Sequence, residues 1–527
     1  MFSNAIKYLL ESFGEYIRAE KPPEGIVRIH VDEIASKIAQ GYEKIRNVVD
    51  YREEHLLRSH SISRSLQRSI LLYGKKEELA LRLIKEMVRS GHFPNNRIPE
   101  EKMIEVDRLI GNLIFLLEYL KKNFPKKKTK LSGWLMGVVA CAIEESIDPP
   151  KKDRASAEAM FRLLSLNLTI TGKKIDDKEK LIQLFIAVQR ALLRVDDDQL
   201  AYRLLTFLYP HWASMALPEL ELFAEHLPKI KKDFDSYMSS ALCPHFFRLC
   251  NQYNTVFLLL SDIVFSKRQT PETLEAIFRD PAKLSQAIDG VYRARYDEQS
   301  KRLRRLAFFS VISLFITKVI VALAIEIPID TYLTHQYLLL NTVINILFPP
   351  FLMIFIIGFI HLPSAKNLEL AKAEVRAATY ASEKKKYLLQ IPEEKSIVVQ
   401  WVVRFFFLAV STAVLWIVWM VLQVQHFSIA STVVFVFFTS IVAATGVRVH
   451  NRAKDISLET SKPTMLTFAG DMLFMPFVTI GKLAIDGLSR FKFLVFIFNL
   501  IDAPFQVFIL FIENFNSFLR SRKEQMY

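Results

Sequence analysis

The sequence predicts an all-α protein in which a cytoplasmic helical bundle or loose solenoid is joined to a four-helix transmembrane bundle with an interfacial C-terminal tail. Hydrophobic residues make up 51% of the 527 residues and 41 residues are Phe, yet 24% are charged. A soluble domain is rarely this rich in Phe and a membrane bundle is rarely this charged, so the mixture indicates one part of each kind. Only 15 residues are Gly, below half the usual share of about 7%, which disfavours β-rich folds and Gly-rich nucleotide loops.

The predicted cytoplasmic helical domain covers residues 1–268. Its first segment, MFSNAIKYLLESFGEYIRAEK, interleaves charges with apolar residues at amphipathic spacing, unlike the uninterrupted apolar core of a signal peptide. Residues 26–31 alternate as in a short strand, and Asp32 can cap the long helical pattern that follows. Further helices are expected at 76–90, 99–123, 132–146, 154–168, 178–194 and 198–208, and over most of 217–265.

A long connecting helix is predicted at residues 269–304, with Asp280 as its cap and Pro281 in its first turn. Beyond it, four stretches are long and apolar enough to span a bilayer. The individual spans are expected at 305–326, 338–361, 399–424 and 428–447. They form transmembrane hairpin 1 (305–361) and transmembrane hairpin 2 (399–447), which are separated by a basic cytoplasmic amphipathic helix (362–398) and followed by a Phe-rich tail (448–527).

The basic flanks of the spans predict which side of the membrane each loop faces. The loops at 327–337 and 423–430 contain no Lys or Arg, whereas 301–305, 366–395 and 448–454 are basic. All the basic flanks fall on one side, which the positive-inside rule assigns to the cytoplasm. Both termini are therefore expected in the cytoplasm.

The Phe-rich tail has a poor pattern for a fifth span. Lys492, Asp502 and Glu513 interrupt its apolar stretches, and a fifth crossing would place Arg520 and Lys523 outside. We expect helices that lie in the inner interface or pack on the bundle.

The net charge indicates an anionic partner. It is +14 at pH 7, and in a membrane protein anionic lipid is the first candidate, ahead of nucleic acid. Lys384, Lys385 and Lys386 are tethered between two spans and are expected to contact lipid headgroups. The chain has three cysteines, an odd and sparse set that argues against a disulfide framework and fits a reducing compartment.

Lys318 is the most unusual residue of the first span, because counting the rise per residue places it near mid-bilayer or slightly outward. A charge at that depth is costly and marks a functional hypothesis. Asn341 and Asn345 are four residues apart and share a face of the second span, with Asn345 at about the depth of Lys318. This intramembrane polar cluster can form an ion or solute pathway, or a polar contact that fixes helix packing.

The packing role is preferred from sequence, because Glu326 is placed near the outer end of its span and no acid falls at mid-membrane. Pro349 and Pro350 follow on the second span and are expected to disturb its helix.

A second candidate surface is the basic segment 51–68, which contains Arg52, Arg58, Arg64 and Arg68. It can bind an anionic partner such as nucleic acid or phosphate, or it can be a solvated helix face. The solvated face is preferred, since no aromatic stacking set accompanies the charges.

The sequence contains no recognised catalytic, cofactor or metal signature. G-x-x-x-x-G-K-[ST], G-x-G-x-x-G, H-E-x-x-H and G-x-S-x-G are absent. Cys243, His245 and Cys250 have the wrong number and spacing for a zinc site, and buried core cysteines are expected instead. The acidic run at 194–199 lacks the calcium-loop pattern, and Asp198 as a helix cap explains it. We therefore predict no enzyme activity and no cofactor.

Two stretches carry a resemblance: YEKIRNVVDYREEHLLRSHSISR near the start, and DMLFMPFVTIGKLAIDG with FIFNLIDAPFQVFI in the tail. Together they cover about a quarter of the chain and resemble membrane proteins of candidate phyla radiation bacteria. The resemblance implies a multi-pass protein of a bacterial inner membrane. It implies no activity, and it assigns no role to any residue.

The preferred function from sequence is a membrane-anchored scaffold or adaptor that presents the cytoplasmic helical domain to a protein partner at an anionic inner membrane. One alternative is a small channel or transporter that uses Lys318, Asn341 and Asn345. Another is a membrane tether for nucleic acid. A homo-oligomer is compatible with each of them.

Overall fold

The structure is a computed structural model of the chain. It describes residues 2–20, 27–32, 36–37, 39–40, 57–73, 78–266, 269–333, 338–358, 365–380, 386–392, 397–453, 457–458 and 465–490. The first group of elements is α1 (Asn4–Glu20), α2 (Leu57–Tyr73), α3 (Leu79–Arg89), α4 (Lys102–Asn123), α5 (Lys128–Ile147), α6 (Lys151–Asn167), β1 (Leu168–Gly172), α7 (Asp177–Leu192), α8 (Asp197–Leu208) and α9 (Leu217–Met238).

The second group contains the apolar helices. It consists of α10 (Cys243–Val264), α11 (Pro271–Arg279), α12 (Pro281–Val321), α13 (Leu339–Gly358), α14 (Ala365–Thr379), β2 (Tyr387–Ile391), α15 (Ile397–Val424), α16 (Ile429–Ala453) and α17 (Met465–Arg490). Two π-helical turns, Ala322–Glu326 and Ile329–Leu333, extend α12. The described residues are thus almost entirely helical, as the sequence predicts.

The chain divides into two compact units. The helical unit comprises residues 7–166 and 175–250, and the span unit comprises residues 1–6, 167–174 and 251–491. The six helices expected between residues 76 and 208 are present near their predicted bounds. The strand expected at 26–31 is reduced to a single bridge between Arg28 and Pro99. Most of the predicted helix between residues 33 and 56 lies outside the described residues.

The helical unit packs around one apolar core that α2 to α9 share. Helix α3 shows why these residues form helices, because its apolar residues recur at the spacing of one helical face and are buried together. Trp134 of α5 meets Phe234 of α9 edge to face, with ring centroids 6.0 Å apart, an arrangement that aromatic quadrupoles favour.

A short parallel sheet corrects the prediction of a continuous helix at 362–398. β1 pairs with β2 in the register Leu168 with Tyr387 through Gly172 with Ile391. Alternate residues of β2 are buried, which is the pattern of a strand with one covered face. Gly172 has a φ of 95°, and a Cβ there would lie 2.1 Å from the carbonyl oxygen of Ile391. Only glycine allows this approach.

Four helices are long and apolar enough to cross a membrane: Pro281–Tyr332, Leu339–Gly358, Ile397–Val424 and Ile429–Asn451. They match the predicted spans. Asp280 caps the first of them, since its Oδ1 accepts a hydrogen bond from the Ala282 amide at 2.9 Å. Trp401 at one end of α15 and Trp416 and Trp419 toward the other are exposed, as in the aromatic belts of membrane helices.

Pro349 and Pro350 do not break the second span. Helix α13 continues through both prolines, which are buried. A proline lacks the N–H that would bond four residues back, so Pro349 and Pro350 leave the carbonyls of Asn345 and Ile346 without that donor.

Helix α17 packs on the bundle, which is one of the two arrangements expected for the tail. A Cβ on Gly481 would lie 1.9 Å from the carbonyl oxygen of Ser440, in the middle of α16. The small residue therefore allows close helix packing. The remainder of the predicted tail, after residue 490, lies outside the described residues.

Candidate functional site

A group of buried polar side chains joins three of the apolar helices. We call this group the polar cluster, and it consists of Lys318, Glu326, Asp330, Asn345, Ser428 and Ser431. Their exposed fractions lie between 0% for Lys318 and Asn345 and 6% for Asp330. Buried charges of this kind are stable only when they are paired and hydrogen-bonded.

The centre of the polar cluster is an ion pair between Lys318 and Glu326, and both side chains are buried. The Lys318 ammonium donates to Oε1 of Glu326 and lies 4.8 Å from the ring centroid of Phe438. The negative face of that ring adds a cation–π contact. Lys318 therefore has two sources of compensation for its charge.

The π-helical turn Ala322–Glu326 explains how these two residues meet. Eight residues along a regular α-helix correspond to a rotation that ends about 80° away from the starting face. A π turn contains one extra residue, so Glu326 occupies the position that the seventh residue would take. The turn thus returns the carboxylate to the face of Lys318.

Asn345 links this ion pair to two further helices. Its Nδ2 donates to Oε2 of Glu326 at 2.7 Å and to the carbonyl oxygen of Ser431 at 3.3 Å. Both oxygens of Glu326 therefore have donors, one on its own helix and one on α13.

Asp330 makes the corresponding link to α16. Its Oδ1 accepts from the Ser428 hydroxyl and its Oδ2 accepts from the Ser431 hydroxyl at 2.6 Å. The Ser428 hydroxyl also accepts from the Ser431 amide at 3.1 Å, as a helix N-cap does. The start of α16 is thereby fixed to the end of the first span.

The structure gives each sequence-predicted residue of this region a definite place. Lys318 and Asn345 both bind Glu326, whereas Asn341 lies outside this network and donates to the carbonyl oxygens of Gln425 and His426 at 2.9 and 3.1 Å. From sequence, Glu326 is expected near the outer end of its span, with no acid at mid-membrane. The structure adds that Glu326 pairs with Lys318 directly.

Sequence reasoning named Glu326 but did not predict its pairing with Lys318, and it missed Asp330, Ser428 and Ser431. A regular helix would turn Glu326 away from Lys318, and the two serines follow a turn between later helices. The available signal was the pair of acids, Glu326 and Asp330, at the end of an otherwise apolar span.

The basic segment has a different environment from the expected solvated face. Arg58 pairs with Asp148 at 2.7 Å and with Glu144 at 3.9 Å, and Arg68 pairs with Glu86. Arg64 donates to the hydroxyl of Ser61 at 2.8 Å. Three of the four predicted arginines thus bind groups of the helical unit itself. Arg52 lies outside the described residues.

Glu144 is the most perturbed carboxyl group of this region. Burial raises its pKa from 4.5 to about 7, against the opposing effects of Arg58 and Ser59. The group therefore titrates near neutral pH, although its ordinary range is acidic.

The other sequence-predicted residues divide between buried and exposed positions. Cys250 is buried and Cys243 and His245 are half-buried, with the Cys243 thiol 3.0 Å from Oε1 of Gln183. Lys386 is exposed, whereas Lys384 and Lys385 lie outside the described residues.

The helix cap expected at Asp198 is wrong by two residues. Asp196 is the cap of α8, since its Oδ1 accepts from the Gln199 amide at 2.9 Å. Asp196, the first acidic residue of the run, already has the extended backbone of a cap, so Asp198 falls inside the helix.

No protein-family model matches the chain, and no curated protein or solved structure matches it.

Proposed function

We propose that the protein is a membrane-anchored scaffold or adaptor, with a four-span module that is held rigid by the polar cluster. The observation that carries this proposal is that both buried carboxylates of the cluster are fully hydrogen-bonded. Both oxygens of Glu326 and both oxygens of Asp330 accept hydrogen bonds from other described residues. A network with satisfied charges fixes helix packing, which is what an anchor requires.

The proposed orientation places the polar cluster toward the outer side of a bacterial inner membrane and both termini in the cytoplasm. The loops without Lys or Arg lie at the same end of the spans, because Asn341 binds the turn at Gln425 and His426. At the other end, Asn367 of α14 binds Tyr292 and the Leu458 amide. This arrangement supports two antiparallel hairpins with the basic flanks inside.

The helical unit offers a surface for a protein partner. Phe161, Phe185 and Phe207 form an aromatic group, in which the rings of Phe185 and Phe207 stack with centroids 4.4 Å apart. Phe207 is 37% exposed, and Leu181 at 39% and Leu166 at 70% are exposed as well. Exposed aromatic groups of this kind are typical of the centres of protein interfaces.

The scaffold proposal is tested by cross-linking in the native membrane followed by purification in mild detergent. We expect one stoichiometric protein to be recovered with the wild type and lost with Phe207→Ser. Leu222→Ser is the matched control, because Leu222 is an exposed apolar residue of α9, and it is expected to retain the partner. Equal recovery with both variants, or no protein partner, contradicts the proposal. Nucleic acid that is released at high salt would favour the tether instead.

A second candidate function, ion transport, is favoured by one observation. Four buried side-chain oxygens of α13 and α16 have no hydrogen-bond partner among the described residues: Asn345 Oδ1, Thr432 Oγ1, Thr439 Oγ1 and Ser440 Oγ. Buried oxygens without donors can be satisfied by water or by a cation. Proton and sodium flux in proteoliposomes separates the two functions. A flux that is lost in Lys318→Met/Glu326→Gln would support transport, and the scaffold proposal predicts no such flux.

A further inference from the structure

Three potential metal ligands converge in the helical unit. A ligand nitrogen of His60 and one carboxylate oxygen each of Asp196 and Asp198 lie within 4.8 Å of one another. Nε2 of His60 lies 2.8 Å from Oδ2 of Asp196. The three residues are half-buried and come from α2 and from the start of α8, so they are brought together only by the fold.

Contacts with α8 and α5 place the two carboxylates. Oδ1 of Asp196 caps α8, which leaves Oδ2 directed at His60. Asp198 lies against α5, where a Cβ on Gly137 would be 2.5 Å from the carboxyl carbon of Asp198. The small residue at position 137 therefore leaves room for the second carboxylate where α5 packs on α8.

We propose that His60, Asp196 and Asp198 bind a zinc ion, with a water molecule as the fourth ligand. Imidazole and carboxylate are ligand classes of zinc sites, and a zinc ion with three protein ligands takes water in the fourth position. Calcium and magnesium prefer oxygen ligands alone, so the imidazole favours a transition metal. Two carboxylates balance the charge of the ion. The bound ion would join α2 and α8 of the helical unit.

The test is titration of zinc chloride into the chelator-treated full-length protein in detergent, followed by calorimetry. We expect one zinc ion per chain, with affinity lowered by more than the roughly 10- to 100-fold loss typical of an outer-shell partner in His60→Gln and in Asp198→Asn. His245→Gln is the control, because it removes a half-buried histidine from α10, and it is expected to bind zinc as the wild type does.

The contrary results are equally specific. Absence of zinc binding by the wild type, or unchanged affinity in both His60→Gln and Asp198→Asn, overturns the proposal. Gel filtration identifies a misfolded sample. If one of the two ligand variants misfolds, the other still tests the proposal.

Discussion

Replacement of Lys318 by methionine is expected to lower the free energy of unfolding by about 3–5 kcal/mol, the cost of removing one partner of a buried ion pair. The change retains the length of the apolar side chain but leaves the carboxylate of Glu326 buried without its cation. Glu326→Gln is expected to destabilise in the same direction, because it leaves the buried ammonium without a counter-charge.

The double variant Lys318→Met/Glu326→Gln is expected to recover most of this loss. It removes both charges together, and the Gln side chain can still accept the hydrogen bond that Asn345 donates to position 326. Replacement of a whole buried pair by neutral groups is often nearly neutral for stability. The double variant is therefore the correct one for flux experiments. A single Lys318 variant could lose flux simply because the protein unfolds.

Unfolding by denaturant in detergent, for the wild type, both single variants and the double variant, gives the coupling energy. Lys482→Met is the control, because it removes an exposed lysine from α17. Losses that simply add in the double variant would show that the two charges do not interact, and the proposed rigid anchor would lose its basis.

Glu144→Gln is expected to make the helical unit more stable at pH 8 and to remove a pH dependence that the wild type shows. The pKa of Glu144 is raised to about 7 in the folded protein, from 4.5. The folded state therefore binds more protons than the unfolded state between these values. The free energy of unfolding of the wild type accordingly falls as pH rises from about 4.5 to about 7, by up to about 3 kcal/mol.

The measurement is urea unfolding between pH 5 and pH 8, with a chelator present, for the wild type, Glu144→Gln and the control Glu225→Gln. Glu225 is exposed on α9, and its variant is expected to follow the wild-type pH profile. A Glu144→Gln profile parallel to that of the wild type would assign the pH dependence to other groups.

The four helices that are long and apolar enough to span a membrane could be predicted from sequence, because each is a local property of a long apolar stretch. Lys318 and Asn345 could be singled out for the same reason, as polar residues within such stretches. The pairing of Glu326 with Lys318 could not be predicted. The direction in which the Glu326 side chain points depends on a π turn, which helical periodicity does not describe.

Pairings between distant segments account for the other differences. β2 pairs with a strand more than two hundred residues earlier in the chain, and strand formation depends strongly on such neighbours. His60 and Asp196 likewise meet across 136 residues. In neither pairing does a local sequence motif identify the partner segment.

The central claim is that the protein has four membrane spans and that the polar cluster lies toward the outer side. Cysteine accessibility in spheroplasts tests this claim most directly. Tyr332→Cys and Gln425→Cys lie at one end of the spans, and Lys301→Cys and Asn451→Cys lie at the other; all four positions are exposed. We predict that a membrane-impermeant maleimide labels the first pair in intact spheroplasts and the second pair only after permeabilisation, with the wild type as background. Labelling of the second pair in intact spheroplasts, or of all four together, would contradict the proposed arrangement.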